Sequence, residues 1–235
     1  MNKQFHSCSP DPDDGEKLDI DYLSDEGPST LIFEPSELID FRVAWDWQKQ
    51  RQKLLFEKPG SSQAVWLLEH SECYTLGRGA TEDNLLFNLS NSPWDVYRID
   101  RGGEVTHHMP GQLVVYLVLD LRRYKTDLNW YLRQLELVLL DTLKDLGIVG
   151  KRIDGITGVW INDFKVASIG VGCRRWITQH GLSINVDCDL RGFERIIPCG
   201  LTGSKVGKLS SLIPDLKTVD VKPFIKKSLT ERFGL

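Results

Sequence analysis

The stretch that decides the fold is residues 158–200, which read GVWINDFKVASIGVGCRRWITQHGLSINVDCDLRGFERIIPCG. Its first part contains two apolar runs, 158–161 and 164–172, on either side of Asn162-Asp163. Asn and Asp favour turns because their side chains hydrogen-bond to their own backbone. Two strand-like runs that flank such a pair predict a β-hairpin.

The second part of the stretch predicts a further strand and carries two reactive side chains. The strand is expected at 176–186, and Lys165 lies within the hairpin while Cys199 precedes a glycine. A thiol and an amine that the fold brings together can act as a nucleophile with a neighbouring cation or base. Taken on local chemistry alone, a solvated lysine and an inert core cysteine are the simpler interpretation.

Outside this stretch, strands alternate with a few long helices. Further strands are predicted at 64–68, 96–99 and 113–121, and the last is a continuous apolar run typical of a strand buried on both faces. Helices are predicted at 36–58, at 127–146 with Asp127 as its N-cap and Gly147 as its stop, and at 222–233. This order predicts an α/β or α+β fold with a mixed β-sheet flanked by helices.

Composition and charge limit the classes of function. The 235 residues are 41% hydrophobic and carry a net charge of -4, of which -6 comes from residues 1–30. We expect 1–30 to be an acidic, disordered tail and 31–235 to form one folded domain. The remaining net charge of +2 gives no indication of nucleic-acid binding. Because apolar runs are short and no signal peptide is evident, we expect no membrane association and a cytoplasmic location.

The five cysteines are irregularly spaced, and no Cys-x-x-Cys pair occurs. An odd number without such spacing argues against a disulfide framework or a structural zinc site. We therefore expect no metal and no cofactor. Apart from Cys199, the cysteines are interpreted as packing or tail residues, namely Cys8, Cys73, Cys173 and Cys188.

The segment 101–112, RGGEVTHHMPGQ, combines an arginine, two glycines and two histidines between predicted strands. Glycines allow backbone N–H groups to approach a substrate closely, and Arg101 can hold an anion. The alternative is a glycine-rich hairpin with surface histidines, and local chemistry does not separate the two.

Taken together, the sequences of these segments resemble those of the octanoyltransferases of lipoate biosynthesis. The resemblance extends over roughly residues 44–212. It depends on four motifs that follow one another in this order: segment 101–112, FKVASIG around Lys165, WITQHGLSINVD and ERIIPCG. The YTLGRG and LNWYLRQLE segments strengthen it. It implies a fold similar to lipoate and biotin protein ligases, with a smaller C-terminal subdomain.

The resemblance also implies an activity and a site. The family moves an octanoyl group from octanoyl-acyl carrier protein to a lysine of lipoyl domains, including those of 2-oxoacid dehydrogenase complexes and the glycine cleavage H protein. The acyl-accepting cysteine of the family corresponds to Cys199 and its partner lysine to Lys165. Substrate-lining positions correspond to Arg101, Gly102, Gly103, Glu104, Val105, Thr106, His107, His108, Ser168, Ile169, Gly170, Gly181, Leu182 and Ser183.

The sequence departs from the family pattern and leaves other functions open. Met109 stands where the family has a small residue or cysteine, so we expect it to reshape the acyl pocket. His180 is interpreted as a pocket residue, and Arg174-Arg175 as a solvated pair or a docking patch for an acidic carrier. The alternatives to an acyltransferase are an ATP-dependent lipoate or biotin ligase of the same fold and a non-enzymatic binder of carrier domains.

Overall fold

The computed structural model describes residues 29–197 and 205–235. In these residues the chain forms twelve strands and three α-helices. The strands are β1 Thr30–Phe33, β2 Leu38–Ile39, β3 Gln63–His70, β4 Cys73–Leu76, β5 Asp95–Arg98, β6 Val105–His108, β7 Gln112–Val118, β8 Lys151–Ile153, β9 Ile156–Ile161, β10 Phe164–Arg174, β11 Ile177–Asn185 and β12 Lys205–Val206. The helices are α1 Phe41–Glu57, α2 Leu128–Asp145 and α3 Thr218–Phe233.

The large sheet has the order β1-β3-β7-β11-β10-β9-β8, with β2 and β12 paired to β3 and β10. Strand β3 is parallel to β1 and β2, and β10 is parallel to β12, whereas the pairs β3–β7, β7–β11, β11–β10 and β10–β9 are antiparallel. The predicted mixed sheet is therefore confirmed. So is the hairpin of β9 and β10, whose turn residue Asn162 adopts a left-handed φ of 53°.

Helices cover both faces of this sheet. Helices α2 and α3 pack their apolar sides on one face, where Leu135, Leu139 and Ile225 are fully buried with the inward residues of β7 and β11. Helix α1 covers the other face with Phe41, Trp45 and Trp47. The C-terminal part consists of β12 and α3, and the apolar face of α3 joins the same core as α2.

Helix boundaries differ from prediction where side-chain caps decide them. Helix α1 begins at Phe41 rather than at 36, because the Asp40 carboxylate accepts the backbone N–H of Arg42 and Val43. Helix α2 is capped by Asp127 as predicted, through a 3.0 Å bond from the Trp130 N–H. Helix α3 begins at Thr218, four residues before the prediction, with Asp220 accepting the Lys217 N–H at 2.9 Å.

A second, three-stranded sheet was not predicted. Its order is β5-β4-β6, and it packs Tyr74, Leu76 and Val105 into a separate apolar cluster. Its last strand, β6, is formed by residues 105–108, which composition alone left as a glycine-rich connection. At the other end of the chain, Thr30 already belongs to β1, so the predicted tail stops short of it, and residues 1–28 lie outside the described part.

None of the helices in 29–197 and 205–235 is long and apolar enough to cross a membrane.

Candidate active site

A cavity of about 570 Å³ lies against the middle of β10 and β11, beneath the loop that precedes β6. It collects nearly all of the substrate-lining positions that the resemblance implies. Those that line it are Arg101, Gly102, Gly103, Glu104, Val105, Thr106, His108, Ser168, Ile169, Gly170, Gly181, Leu182 and Ser183, together with Lys165. Segments far apart in sequence thus meet at one site.

Lys165 lies near the start of β10 and is only 8% exposed. It pairs with Trp160 on β9 and with Val206 on β12, and its carbonyl accepts the Gly207 N–H at 2.9 Å. Its ammonium lies 5.2 Å from the centre of the Trp160 ring, a cation–π contact. The side chain is therefore held at the cavity wall by β9 and β12.

Cys199 lies outside the described residues, so its position relative to Lys165 stays a prediction. The described residues on either side of its segment, Phe193 and Val206, both line the cavity. The three described cysteines are poor nucleophiles. Burial raises the pKa of Cys73 well above its usual range, that of Cys188 to about 12, and that of Cys173, and none of the three lines the cavity.

Arg101 supplies a cation to the cavity from a fixed position. Its guanidinium donates to the Thr75 carbonyl at 2.9 Å, to the Thr75 hydroxyl at 3.0 Å and to the Gly102 carbonyl at 3.0 Å. Gly77 lies so close that any Cβ there would collide with the Gly103 carbonyl and would stand 2.8 Å from Arg101 Nη1. The Gly77-Arg78-Gly79 fragment thus provides space for this arginine.

Two buried histidines form a polar network at the cavity. His108 lines it, and its Nδ1 hydrogen-bonds Gln112 Oε1 at 2.7 Å, while Gln112 donates to Asn185 Oδ1 at 2.9 Å. His70 bridges the Ile39 carbonyl at 2.6 Å and the hydroxyl of Tyr116, a cavity residue, at 2.7 Å. Burial lowers the pKa of His70 to about 4 and that of His108 well below its usual value. Both rings are neutral at neutral pH.

His180 is a third cavity histidine, held in an unusual backbone conformation. Its φ is +60°, and its backbone N–H leaves the regular sheet pattern to donate to Gln48 Oε1 at 2.7 Å. Among the described residues, neither ring nitrogen has a hydrogen-bond partner. Burial and the nearby Arg101 lower its pKa to about 3. The interpretation of His180 as a neutral pocket residue therefore agrees with its geometry.

Two residues of segment 101–112, His107 and Met109, lie away from the cavity. The His107 ring does not line the cavity: it stacks on Tyr74 at 4.4 Å and bonds Glu72 at 3.1 Å on the other side of β6. Successive side chains of a strand point to opposite faces, so His107 and His108 separate. Met109 is buried in the cluster of the small sheet instead of the cavity, so it does not reshape the pocket directly.

The sequence did not predict three buried polar residues that hydrogen-bond to residues at or next to the cavity. Gln48 lies fully buried on α1, Glu136 lies fully buried on α2, and His70 is the fully buried last residue of β3. The only signal in the sequence is a polar residue on a helix face that is otherwise apolar. Such a residue is buried only when it has hydrogen-bond partners, which the sequence does not reveal.

The fold and the site together define the class of protein. The family model of the lipoyl protein ligase A/B catalytic domain matches residues 40–231, which include both the mixed sheet and the residues of the cavity. In solved structures, a bipartite lipoate protein ligase from Thermoplasma acidophilum aligns with a TM-score of 0.69 at 14% identity, over 88% of this chain and 84% of that one. Lipoate-protein ligase A bound with ATP aligns with a TM-score of 0.68 at 14% identity, over 89% and 86%.

Sequence relatives narrow the class. An octanoyltransferase of Prochlorococcus marinus is 65% identical over 218 residues, covering 93% of this chain and 97% of the relative. An octanoyltransferase of Synechococcus sp. is 57% identical over 213 residues, covering 90% and 93%. The chain belongs to the lipoyl protein ligase A/B catalytic domain family and, within it, to the octanoyltransferases, which are acyltransferases.

Proposed function

We propose that the chain transfers an octanoyl group from octanoyl-acyl carrier protein to a lysine of lipoyl domains, through a thioester on Cys199. The observation that carries the proposal is the cavity, which collects Lys165, Arg101 and the two strand segments 168–170 and 181–183 around one space. Family membership supplies the acyl group. Residues 31–235 are proposed as the catalytic domain.

The first step exchanges one thioester for another. The Cys199 thiol gives its proton to the Lys165 amine, and the resulting thiolate attacks the carbonyl carbon of the carrier's thioester. The carrier's thiolate leaves and takes that proton from the Lys165 ammonium, so Lys165 is a neutral amine at the start of the second step. A free cysteine has a reference pKa near 8.5, so only a few per cent is thiolate at neutral pH. A lysine ammonium nearby stabilises the thiolate, and each unit of pKa is worth about 1.4 kcal/mol. Because the energy of the thioester is conserved, the step needs no ATP.

The second step forms an amide. The lysine amine of the lipoyl domain attacks the acyl carbon, the Cys199 thiolate leaves, and Lys165 takes the proton of the incoming amine. Backbone N–H groups near Gly170 or Gly200 are proposed to stabilise the oxyanion. Losing one such donor typically costs about 100- to 1000-fold in rate. The acceptors proposed are lipoyl domains of 2-oxoacid dehydrogenase complexes and the glycine cleavage H protein.

The test is the complete reaction with purified components. A lipoyl domain is incubated with octanoyl-acyl carrier protein and the full chain, and its mass is followed with and without ATP. We expect one octanoyl group per lipoyl domain without ATP, and no product with Cys199→Ala. The control is Cys173→Ala, which removes a half-buried thiol away from the cavity and is expected to keep activity. Modification that requires free octanoate or lipoate and ATP would assign the chain to the ligases instead.

A further inference from the structure

Glu136 is a buried carboxylate on the face of α2 that points toward the sheet. The residue is fully buried, and its Oε2 pairs with Arg133 and with Arg152, the latter at 3.4 Å. Its second oxygen, Oε1, accepts the backbone N–H of Gly158 on β9 at 3.3 Å. The carboxylate therefore links α2 to the strand that lies beside Lys165.

Gly158 lies directly against the Lys165 side chain. A Cβ built on Gly158 would stand 2.7 Å from Lys165 Cε, 3.4 Å from Lys165 Nζ and 2.7 Å from the Ala167 carbonyl. Its φ of +138° is also a conformation that other residues rarely adopt. The path of the lysine side chain is thus set by the backbone of Gly158, and any shift of that backbone moves the surface on which the lysine rests.

Trp160 borders the same lysine two residues further along β9. Positions 158 and 160 lie on the same face of the strand. The Lys165 side chain crosses this face, with its Cε against Gly158 and its ammonium 5.2 Å from the centre of the Trp160 ring. The strand register slips between Lys165 and Ala167, so the regular ladder does not fix β9 here by itself. The hydrogen bond from the Gly158 N–H to Glu136 therefore helps to fix the position of β9 against the Lys165 side chain.

We propose that Glu136 is a positioning residue for the acyl transfer: by holding the Gly158 N–H, it fixes the strand surface that places the Lys165 amine in the cavity. The inference rests on the proposed function, in which Lys165 acts on Cys199 and on the incoming amine. Displacement of a reacting group by about 1 Å can cost about 100-fold in rate. Glu136 itself does not line the cavity, so it acts through Gly158.

A role for Glu136 in stability alone is the competing interpretation. Arg133 and Arg152 have side chains that are 51% and 41% exposed, and pairs with such exposed partners contribute little to stability. Removing the buried carboxylate nevertheless leaves the Gly158 N–H without its acceptor, which destabilises the fold. Loss of activity alone does not separate the two interpretations. The measurement must instead report the effect of the Lys165 amine on the Cys199 thiol.

The experiment measures the rate of Cys199 alkylation by iodoacetamide as a function of pH, with the site identified by peptide mass. In Glu136→Leu we expect the midpoint of the pH profile to rise toward that of a free cysteine, and octanoyl transfer to fall about 10- to 100-fold. Glu136→Gln keeps an acceptor oxygen and is expected to restore most of the wild-type profile. Thr142→Val removes a buried hydrogen bond elsewhere on α2 and is expected to lower thermal stability without moving the midpoint.

A double-mutant cycle with Lys165→Met separates failure of this inference from failure of the proposed function. If Lys165→Met raises the midpoint, and Glu136→Leu adds no further shift in that background, the positioning role is supported. If Lys165→Met raises the midpoint but Glu136→Leu does not, or shifts it equally in both backgrounds, the positioning role is wrong. If Lys165→Met leaves the midpoint unchanged, the proposed role of Lys165 is wrong, and the inference falls with it.

Discussion

The two faces of the adjacent strands β10 and β11 differ in what they carry. On the face toward α2 and α3, Ala167 and Ile184 are buried in the main core and do not line the cavity, while Leu182 belongs both to that core and to the cavity wall. On the other face, Ser168, Gly170 and Ser183 border the cavity. Large apolar side chains on one face stabilise the strands, and small side chains on the other leave volume for a substrate. The difference teaches that one pair of strands serves stability and function on opposite faces.

The largest effect is expected from the cavity side, at Lys165. Lys165→Met keeps the apolar stem of the side chain and removes the amine, so folding is retained while octanoyl transfer falls about 100- to 10,000-fold, the usual contribution of a general base. Single-turnover kinetics with the lipoyl domain measures this. Lys205→Met is the matched control, because Lys205 is exposed on β12 and lies over Phe164. Equal losses in both variants would contradict the role of Lys165.

A substitution on the face toward α2 and α3 should reduce the stability of the fold and leave octanoyl transfer nearly unchanged. Ile184 is fully buried, and Ile184→Ala is expected to reduce the free energy of unfolding by about 2–5 kcal/mol through lost burial and the cavity left behind. Urea denaturation measures the loss. Transfer per folded molecule, determined well below the unfolding transition, should stay within about two-fold of wild type, because a core substitution of this kind acts through lost packing. A collapse of activity in folded protein would show that the two faces are not independent.

A larger side chain on the cavity face should reduce octanoyl transfer and change stability little, which is the reverse of the result expected for Ile184→Ala. A Cβ at Gly170 would stand 2.9 Å from Arg101 Cδ and 3.3 Å from the Gly102 carbonyl. Gly170→Val is therefore expected to displace Arg101 and to reduce transfer about 10- to 100-fold, because misplaced groups at a reacting site are costly. The melting temperature should change less than in Ile184→Ala. Unchanged transfer would mean that the acyl group does not pass Gly170.

The smallest effect is expected at His107, which lies on the other side of β6 from the cavity, and it concerns the pH dependence of stability. Burial lowers the pKa of His107 to about 4, so the unfolded state binds more protons between pH 6.5 and 4 and stability falls as the pH is lowered through this range. One such histidine costs about 2 kcal/mol at pH 5. His107→Phe preserves the stacking on Tyr74 and should reduce the loss of stability between pH 7.5 and 5 by that amount. The same loss in variant and wild type would contradict the assignment.

Most of the large sheet could be predicted from local pattern. The hairpin of β9 and β10 follows from two apolar runs around Asn162-Asp163, and α2 follows from its apolar face and the Asp127 cap. Helix α1 was misplaced at its start because Ser36 and Asp40 are both acceptable N-caps, and only tertiary contacts of Leu38–Ile39 with β3 decide between them.

The lining of the cavity could be predicted in its members but not in its geometry. Thirteen of the fourteen positions that the resemblance implies border the cavity, and His107 does not, because the face of a short edge strand depends on its register with β4. Gln48, Glu136 and His70 were missed because their partners, the His180 and Gly158 N–H groups and Tyr116, are distant in sequence. Long-range hydrogen bonds leave no local pattern.

The most direct test of the central claim is to trap the acyl-enzyme. The full chain is mixed with octanoyl-acyl carrier protein in the absence of ATP and of acceptor, and its intact mass is recorded before and after hydroxylamine, which cleaves thioesters. We predict a single octanoyl adduct that maps to Cys199, is lost with hydroxylamine and is discharged by a lipoyl domain. Octanoylation of the lipoyl domain with no adduct on the chain, or by Cys199→Ala at the wild-type rate, would contradict the account.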